Sequence, residues 1–265
     1  GFEIIDKKEK RAVEKMFEEG AILFAHGFDS IRKKFHVRDF EKKFCKKFKC
    51  KHALSVTSGT AAIKIALKSL GVRPGDEVIT QGFNFVATVE AILDIGAKPI
   101  IANVDDTLNM DLKDVETLIT PKTKVILPVH MLGVAAEIYK INRLAKKKKL
   151  KVLEDNCESA GAKFNDKYLG TIGDVGALSF DFGKVITTGE GGMILSNDKK
   201  INKYAREYHD HGHENNPRFS RGKDTKKIYG FNYRMTEIQG AIGKVQLDKL
   251  NSIIFNNKQR YKILL

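Results

Sequence analysis

The sequence predicts an α/β protein whose mostly parallel sheet is covered by helices. Three observations carry this. From residue 53 onward, short apolar runs alternate with amphipathic helical stretches, the pattern of parallel strands joined by crossover helices. A glycine turn, Ser55-Val-Thr-Ser-Gly-Thr-Ala-Ala62, carries a strand into a helix N-terminus. A carboxylate, Asp155, closes an apolar run, and the C-terminal end of a parallel strand is where such proteins place ligands.

In order, two charge-rich helical stretches fill the chain to about Lys51. Residues 53–57 read as a strand and 60–70 as a helix, with Ile63, Ala66, Leu67 and Leu70 on one face. GVRPGD is a turn and 77–80 the next strand. Helices are expected over 85–95, 111–119 and 136–149, and strands over 98–104, 124–130 and 151–156. Two further strands, 177–182 and 191–197, precede a helix over 199–208. Residues 209–227 are polar and turn-rich, a long loop of the kind that usually serves function. From Met235 the pattern is helical almost to the end.

A chain of 265 residues, 42% apolar, is long enough for a sizeable core. No apolar run suffices to cross a bilayer, and the charged opening stretch, with no apolar h-region, does not read as a secretory signal. Three cysteines (Cys45, Cys50, Cys157) without zinc-ligand spacing suit a reducing compartment, so the protein is expected in the cytoplasm. The net charge of +14 attracts anions, nucleic acid or a small acidic molecule. Its densest run, Lys146 to Lys149, closes an amphipathic helix, where cations complement the helix dipole. A basic regulatory or nucleic-acid-binding protein is the competing class, but no DNA-reading motif is recognisable.

Four segments carry chemistry. At Gly59 and Thr60 the free N–H groups of a helix start make a phosphate site, with Ser58 and Thr60 offering hydroxyls; a plain capped helix reads the same way. Asp155 is placed to bond a pyridinium nitrogen or to cap a loop. In Ser179-Phe-Asp-Phe-Gly-Lys184, a lysine just past a strand sits among glycines and apolar residues, where a partly desolvated amine forms an imine with an aldehyde. Gly230-Phe-Asn-Tyr-Arg-Met235 opens the last helix. His209, His211 and His213 alternate in the long loop; no spaced second ligand pair accompanies them, so no metal is expected. His130, ending an apolar strand, reads as a core histidine.

The ordered segments SGTAAI, PGDEVI, FNFVATVEAI, GAKPI, TKVILPVH, VLEDNCESAGA, GTIGDVGALSF, KVITTGEGGM and GFNYRMTEIQGAIGKVQL cover most of 51–250. In them the chain resembles the DegT/DnrJ/EryC1/StrS sugar aminotransferases, pyridoxal-phosphate enzymes of fold type I. The resemblance implies the three-layer large domain of that fold and an incomplete small C-terminal domain. It implies an N-terminal helical segment over 1–50, a cofactor-binding domain over 51–250 and the start of the small domain over 251–265. It makes Lys184 the Schiff-base lysine and Asp155 the partner of the pyridine nitrogen. Glu158 stands where the family commonly has Gln near the ring hydroxyl; a carboxylate there only accepts hydrogen bonds. Gly59, Thr60 and Ser179 match the phosphate ligands, Phe85 the aromatic stacked on the ring, and Asn232 a residue reaching the neighbouring subunit's phosphate, which implies a homodimer. A dehydratase branch has His in place of the lysine, so Lys184 favours transamination, with glutamate or glutamine as donor. The loop Asp210-His-Gly-His-Glu-Asn, the adjoining RGKD and the opening GFE, with Arg221, Lys223 and the loop histidines as candidate anion contacts, are similar to enzymes that aminate the C8 aldehyde of a 3-deoxy-octulosonate; other members act on nucleotide-linked 3-keto or 4-keto sugars.

Overall fold

The computed structural model describes residues 2–216, 223–225 and 227–264. Seven strands form one sheet: β1 (His52–Val56), β2 (Glu77–Gln81), β3 (Lys98–Ala102), β4 (Thr123–Leu127), β5 (Lys151–Asp155), β8 (Val175–Ser179) and β9 (Gly192–Ser196). Between β5 and β8 lies a two-stranded hairpin, β6 (Lys163–Phe164) and β7 (Lys167–Tyr168), which the sequence pattern does not announce because each strand has two residues. The order across the sheet is β1-β9-β8-β5-β4-β2-β3. Strands β3, β2, β4, β5 and β8 run parallel; β9 is antiparallel to both its neighbours.

Alternate residues of each strand feed opposite faces, as a pleat requires. Leu127, Leu153, Ala177 and Ile194 point to a core shared with α3 (Gly59–Ser69), α4 (Val86–Asp94) and α7 (Lys199–Tyr208). Ile126 and Val152 point the other way, against α6 (Ile138–Lys148) and Val115 of α5 (Leu112–Leu118). On that same side Leu178, Met193 and Leu195 meet α2 (His36–Phe48) and α8 (Glu237–Leu264). The result is the three-layer, mostly parallel architecture expected. The first helix, α1 (Lys7–Glu18), begins in a capping box made by Asp6 and Glu9 and packs on α8.

Helix α2 brings Phe40, Phe44 and Phe48 to one buried face; the last two rings stack at 4.2 Å. Gly240 and Gly243 of α8 admit it. A Cβ at Gly240 would stand 2.6 Å from the Val37 nitrogen, and one at Gly243 2.8 Å from the Phe40 ring. The lysine run at the end of α6 is exposed and ends in Lys149, a left-handed C-cap.

One strand expectation is corrected. Phe180 and Phe182 continue the alternation of the preceding strand, yet β8 stops at Ser179. Pairing with β9 ends at Ser179 and Gly192, and the chain between folds on itself through Thr188 N–H to Phe180 C=O. That break creates the turn carrying Lys184.

Candidate active site

At the C-terminal ends of β5 and β8 a cavity of about 420 Å³ opens. Its floor is Asp155, 3% exposed, at the end of the buried strand β5. One carboxylate oxygen accepts from the Thr88 hydroxyl on α4 at 2.8 Å, the other from the Cys157 N–H at 3.0 Å. The preceding Glu154 points to the opposite face. It is fully buried and accepts from the N–H groups of Gly170, Ile172 and Gly173 and faces His130 Nε2 at 2.9 Å. His130 Nδ1 accepts the Ala136 N–H, so Nε2 is the donor to Glu154: a satisfied core histidine. Glu154 thus fastens the strand from behind while Asp155 faces the cavity.

One wall is the start of α3. The Ser58 hydroxyl caps Ala61 N–H and the Ser58 carbonyl takes Ala62 N–H, which leaves the N–H groups of Gly59 and Thr60 at the cavity. A Cβ at Gly59 would sit 2.7 Å from Ser179 Cβ and 3.1 Å from Cys157 Sγ, so only glycine lets the helix start approach the end of β8. Ser179 adds its hydroxyl, which accepts from Asp181 N–H at 3.3 Å and keeps its own proton to donate.

Opposite stands Lys184, in a tight turn closed by its N–H to Asp181 C=O at 3.1 Å. Its amine is 3.7 Å from Glu158 Oε1 and 5.8 Å from the centre of the Phe85 ring. Glu158 Oε2 is buried without a hydrogen-bond partner. Phe85, the residue before α4, is 63% exposed at the mouth of the cavity, with its ring face open to a planar group. Burial pushes the Cys157 thiol well above its ordinary value, so it lines the cavity as a neutral group.

Seven of the eight site residues expected from the sequence line this one cavity: Gly59, Thr60, Phe85, Asp155, Glu158, Ser179 and Lys184. Asn232 does not; it is exposed and bridged to Asp210. Thr88 and Cys157 escaped the sequence reading. Thr88 had a signal, since it falls one helical turn after Phe85 and so on the same face.

The loop histidines diverge. His209, 1% exposed, meets His26 Nε2 to Nε2 at 3.0 Å. Its Nδ1 faces the Arg206 carbonyl at 2.5 Å and must carry the proton, so His26 donates and both rings are neutral. His213 pairs with Asp224, while His211 is exposed. Among the described residues, no group of three or more His, Cys, Asp or Glu is placed to hold a metal ion. Lys223 is exposed, and Arg221 lies outside the described residues.

The histidine pair predicts acid lability. Burial takes His209 from an ordinary 6.5 down to about 4; burial, then His209 itself, takes His26 to about 2. Below about pH 6.5 the unfolded chain binds protons that the native chain refuses, so stability falls as pH drops toward 4, by about 1.4 kcal/mol per pH unit for each histidine. Urea denaturation at pH 7.5 and at pH 5 should show His209→Gln losing about 2 kcal/mol less than wild type over that interval. Equal losses would show that the pair does not govern acid unfolding.

The sequence model of the DegT/DnrJ/EryC1/StrS aminotransferase family matches residues 5–265. The chain belongs to that family. It is 40% identical over 214 residues to GDP-perosamine synthase of Caulobacter vibrioides, covering 80% of this chain and 56% of that protein. It is 40% identical over 230 residues to GDP-perosamine synthase of Escherichia coli O157:H7, covering 84% and 60%. Among solved structures, 3-amino-5-hydroxybenzoic acid synthase superposes with a TM-score of 0.91 at 31% identity, over all of this chain and 67% of its own. The E. coli GDP-4-keto-6-deoxy-D-mannose-3-dehydratase with hydrated pyridoxal phosphate superposes at 0.83 and 30% identity, over 94% of this chain and 66% of its own. The chain spans about three fifths of the length of the two perosamine synthases.

The fold is thus that of fold-type-I pyridoxal-phosphate enzymes, and the cavity suits that cofactor. A helix start closed to any side chain but glycine's faces a serine hydroxyl and offers a cradle for a phosphate. A buried carboxylate, Asp155, and a lysine amine line the same cavity, and that amine stands 3.7 Å from Glu158, whose other carboxylate oxygen is buried without a donor. Among the described residues no helix is long and apolar enough to cross a membrane.

Proposed function

We propose that this protein transfers an amino group from an amino acid, glutamate or glutamine, to the carbonyl of an acidic sugar for cell-surface polysaccharide synthesis. The observation that carries the reading is Lys184 standing in one cavity with Asp155, Glu158 and the α3 start. Pyridoxal phosphate, when bound, supplies an aldehyde that takes up the amino group and a ring that accepts the electrons of a broken C–H bond. Gly59 and Thr60 N–H groups and the Ser179 hydroxyl would hold its phosphate, Phe85 would cover its ring, and Asp155 would keep the ring nitrogen protonated. Glu158 would accept a hydrogen bond from the ring hydroxyl. Lys184 would hold the cofactor's aldehyde carbon, and its amine, when free, would take a proton from the donor's α-carbon and give it back as general base and acid. Because the dehydratases share this fold, the lysine is what favours transamination over loss of water.

For the acceptor, the loop of 210–215 supports an 8-oxo-3-deoxy-octulosonate. A second reading, a nucleotide-linked 3-keto or 4-keto sugar, is favoured by the relatedness to GDP-perosamine synthases and to a UDP-sugar 3-aminotransferase of Acidithiobacillus ferrooxidans, 37% identical over 201 residues. Both substrates are anions and suit a chain of net charge +14. The exposed position of Asn232 supports a homodimer in which it serves the neighbouring site, and the three free thiols support a cytoplasmic setting. The test is to load the protein with pyridoxal phosphate and glutamate, offer each sugar, and detect the amino sugar by mass spectrometry. Amination of one class selects the acceptor; a protein that takes up no cofactor overturns the reading.

A further inference from the structure

The turn carrying Lys184 is tied to two elements far from it in sequence. Thr187, 1% exposed, donates its N–H to Gln246 Oε1 of α8 at 3.2 Å. Its hydroxyl donates to the Phe180 carbonyl at 3.0 Å and accepts Gly189 N–H at 3.0 Å, clamping both arms of the turn. Gln246, fully buried, donates from Nε2 to Glu9 Oε1 of α1 at 2.7 Å. Glu9, 2% exposed, is held in turn by Lys249, whose amine also reaches the Ile4 carbonyl at 2.6 Å. At the front of the turn, Phe2 N–H donates to the Phe182 carbonyl at 3.2 Å, and the two rings lie 5.9 Å apart. Phe182 lines the main cavity; Phe2 and Ile4 line a second cavity of about 310 Å³ on the other side of Lys184.

A buried polar chain of this kind costs more to desolvate than an apolar contact of the same shape. It fixes one arrangement in return. The Gln246 amide accepts at one end and donates at the other, so it fits in a single orientation, and the backbone of the turn is set by it.

We propose that Gln246, with Thr187 and Glu9, is a positioning residue for the Lys184 amine: the network from α1 through α8 sets the height of the turn at which that amine meets the cofactor's aldehyde. This rests on the cofactor reading above. It separates two abilities of one cavity. Holding the phosphate and ring would belong to α3, Ser179 and Asp155, whose side chains make no bond to the network, which nears them only at the Phe180 carbonyl; forming the covalent bond would belong to the turn, which the network clamps on both arms.

The test uses the full chain and the variants Gln246→Met, Thr187→Val and Thr187→Ser. Two ligands are compared well below each variant's melting temperature. Pyridoxal phosphate reads covalent capture, by visible absorbance and by borohydride fixation mapped to Lys184. Pyridoxamine phosphate has no aldehyde and reads the cradle alone. Gln246→Met and Thr187→Val are expected to slow covalent capture about tenfold, since small misplacements of a reacting group cost that much or more. Their affinity for pyridoxamine phosphate should stay within about twofold of wild type, and Thr187→Ser, which keeps the hydroxyl, should behave as wild type. Variants that lose both ligands in parallel, or that melt earlier while capturing the aldehyde at the wild-type rate, would overturn the proposal and leave the network a support of the fold. Wild type that binds pyridoxamine phosphate without fixing the aldehyde on Lys184 would overturn the lysine's role and the proposal with it.

Discussion

Lys184→Ala should abolish the borohydride-fixed adduct with pyridoxal phosphate and reduce amino transfer by at least about a thousandfold. Among the described lysines, this one stands in the cavity with the buried carboxylate and the helix start, 3.7 Å from Glu158. On the proposed reading the substitution removes both the anchor of the cofactor and the group that moves the proton. It should spare the fold: the side chain is 22% exposed, makes no direct hydrogen bond with Glu158 at that distance, and the turn is closed by the Lys184 N–H, which alanine retains. The circular dichroism spectrum and melting curve should therefore match wild type, and pyridoxamine phosphate should still bind. If an adduct survives in the variant and maps to another lysine, the assignment of the nucleophile falls.

Much of this site was legible because its parts are local in sequence. Gly59 and Thr60 sit at a strand-to-helix turn, Asp155 at a strand end and Lys184 just beyond another, and each position follows from period and turn chemistry before any contact is known. That they converge follows from parallel topology: β1, β5 and β8 all point the same way, so their C-terminal ends lie on one edge of the sheet. What stayed hidden depends on pairs distant in the chain. Glu9 and Gln246 are 237 residues apart, and each looks like a surface residue of an amphipathic helix until the two helices are packed. The His26–His209 contact spans 183 residues and makes one histidine of the polar loop half of a neutral buried pair. The early end of β8 was hidden for another reason. The alternation of Phe180 and Phe182 continues a strand pattern, but the two rings serve different ends, one fully buried beneath the sheet and the other 61% exposed at the cavity.

Asp155→Ala should be the second severe lesion, and its two causes can be separated. The carboxylate receives the Thr88 hydroxyl and the Cys157 N–H, so its loss strands two donors at a buried position, worth about 1–3 kcal/mol of stability each. On the proposed reading it also removes the negative charge that would face the ring nitrogen, and preorganised charges of this kind contribute about a hundredfold to a thousandfold in rate. Asp155→Asn divides the effects. Its amide oxygen still accepts from one of the two donors and the volume is unchanged, so the melting temperature should fall less than in the alanine variant. No charge remains to hold a proton on the ring nitrogen, so turnover should fall about as far in both. Thr88→Val, which keeps the charge and removes one hydrogen bond, should cost stability with about a tenfold effect on turnover at most. Comparable turnover in Asp155→Asn and wild type would mean that the charge is not what the reaction uses, and that the buried carboxylate serves only to seat β5 against α4.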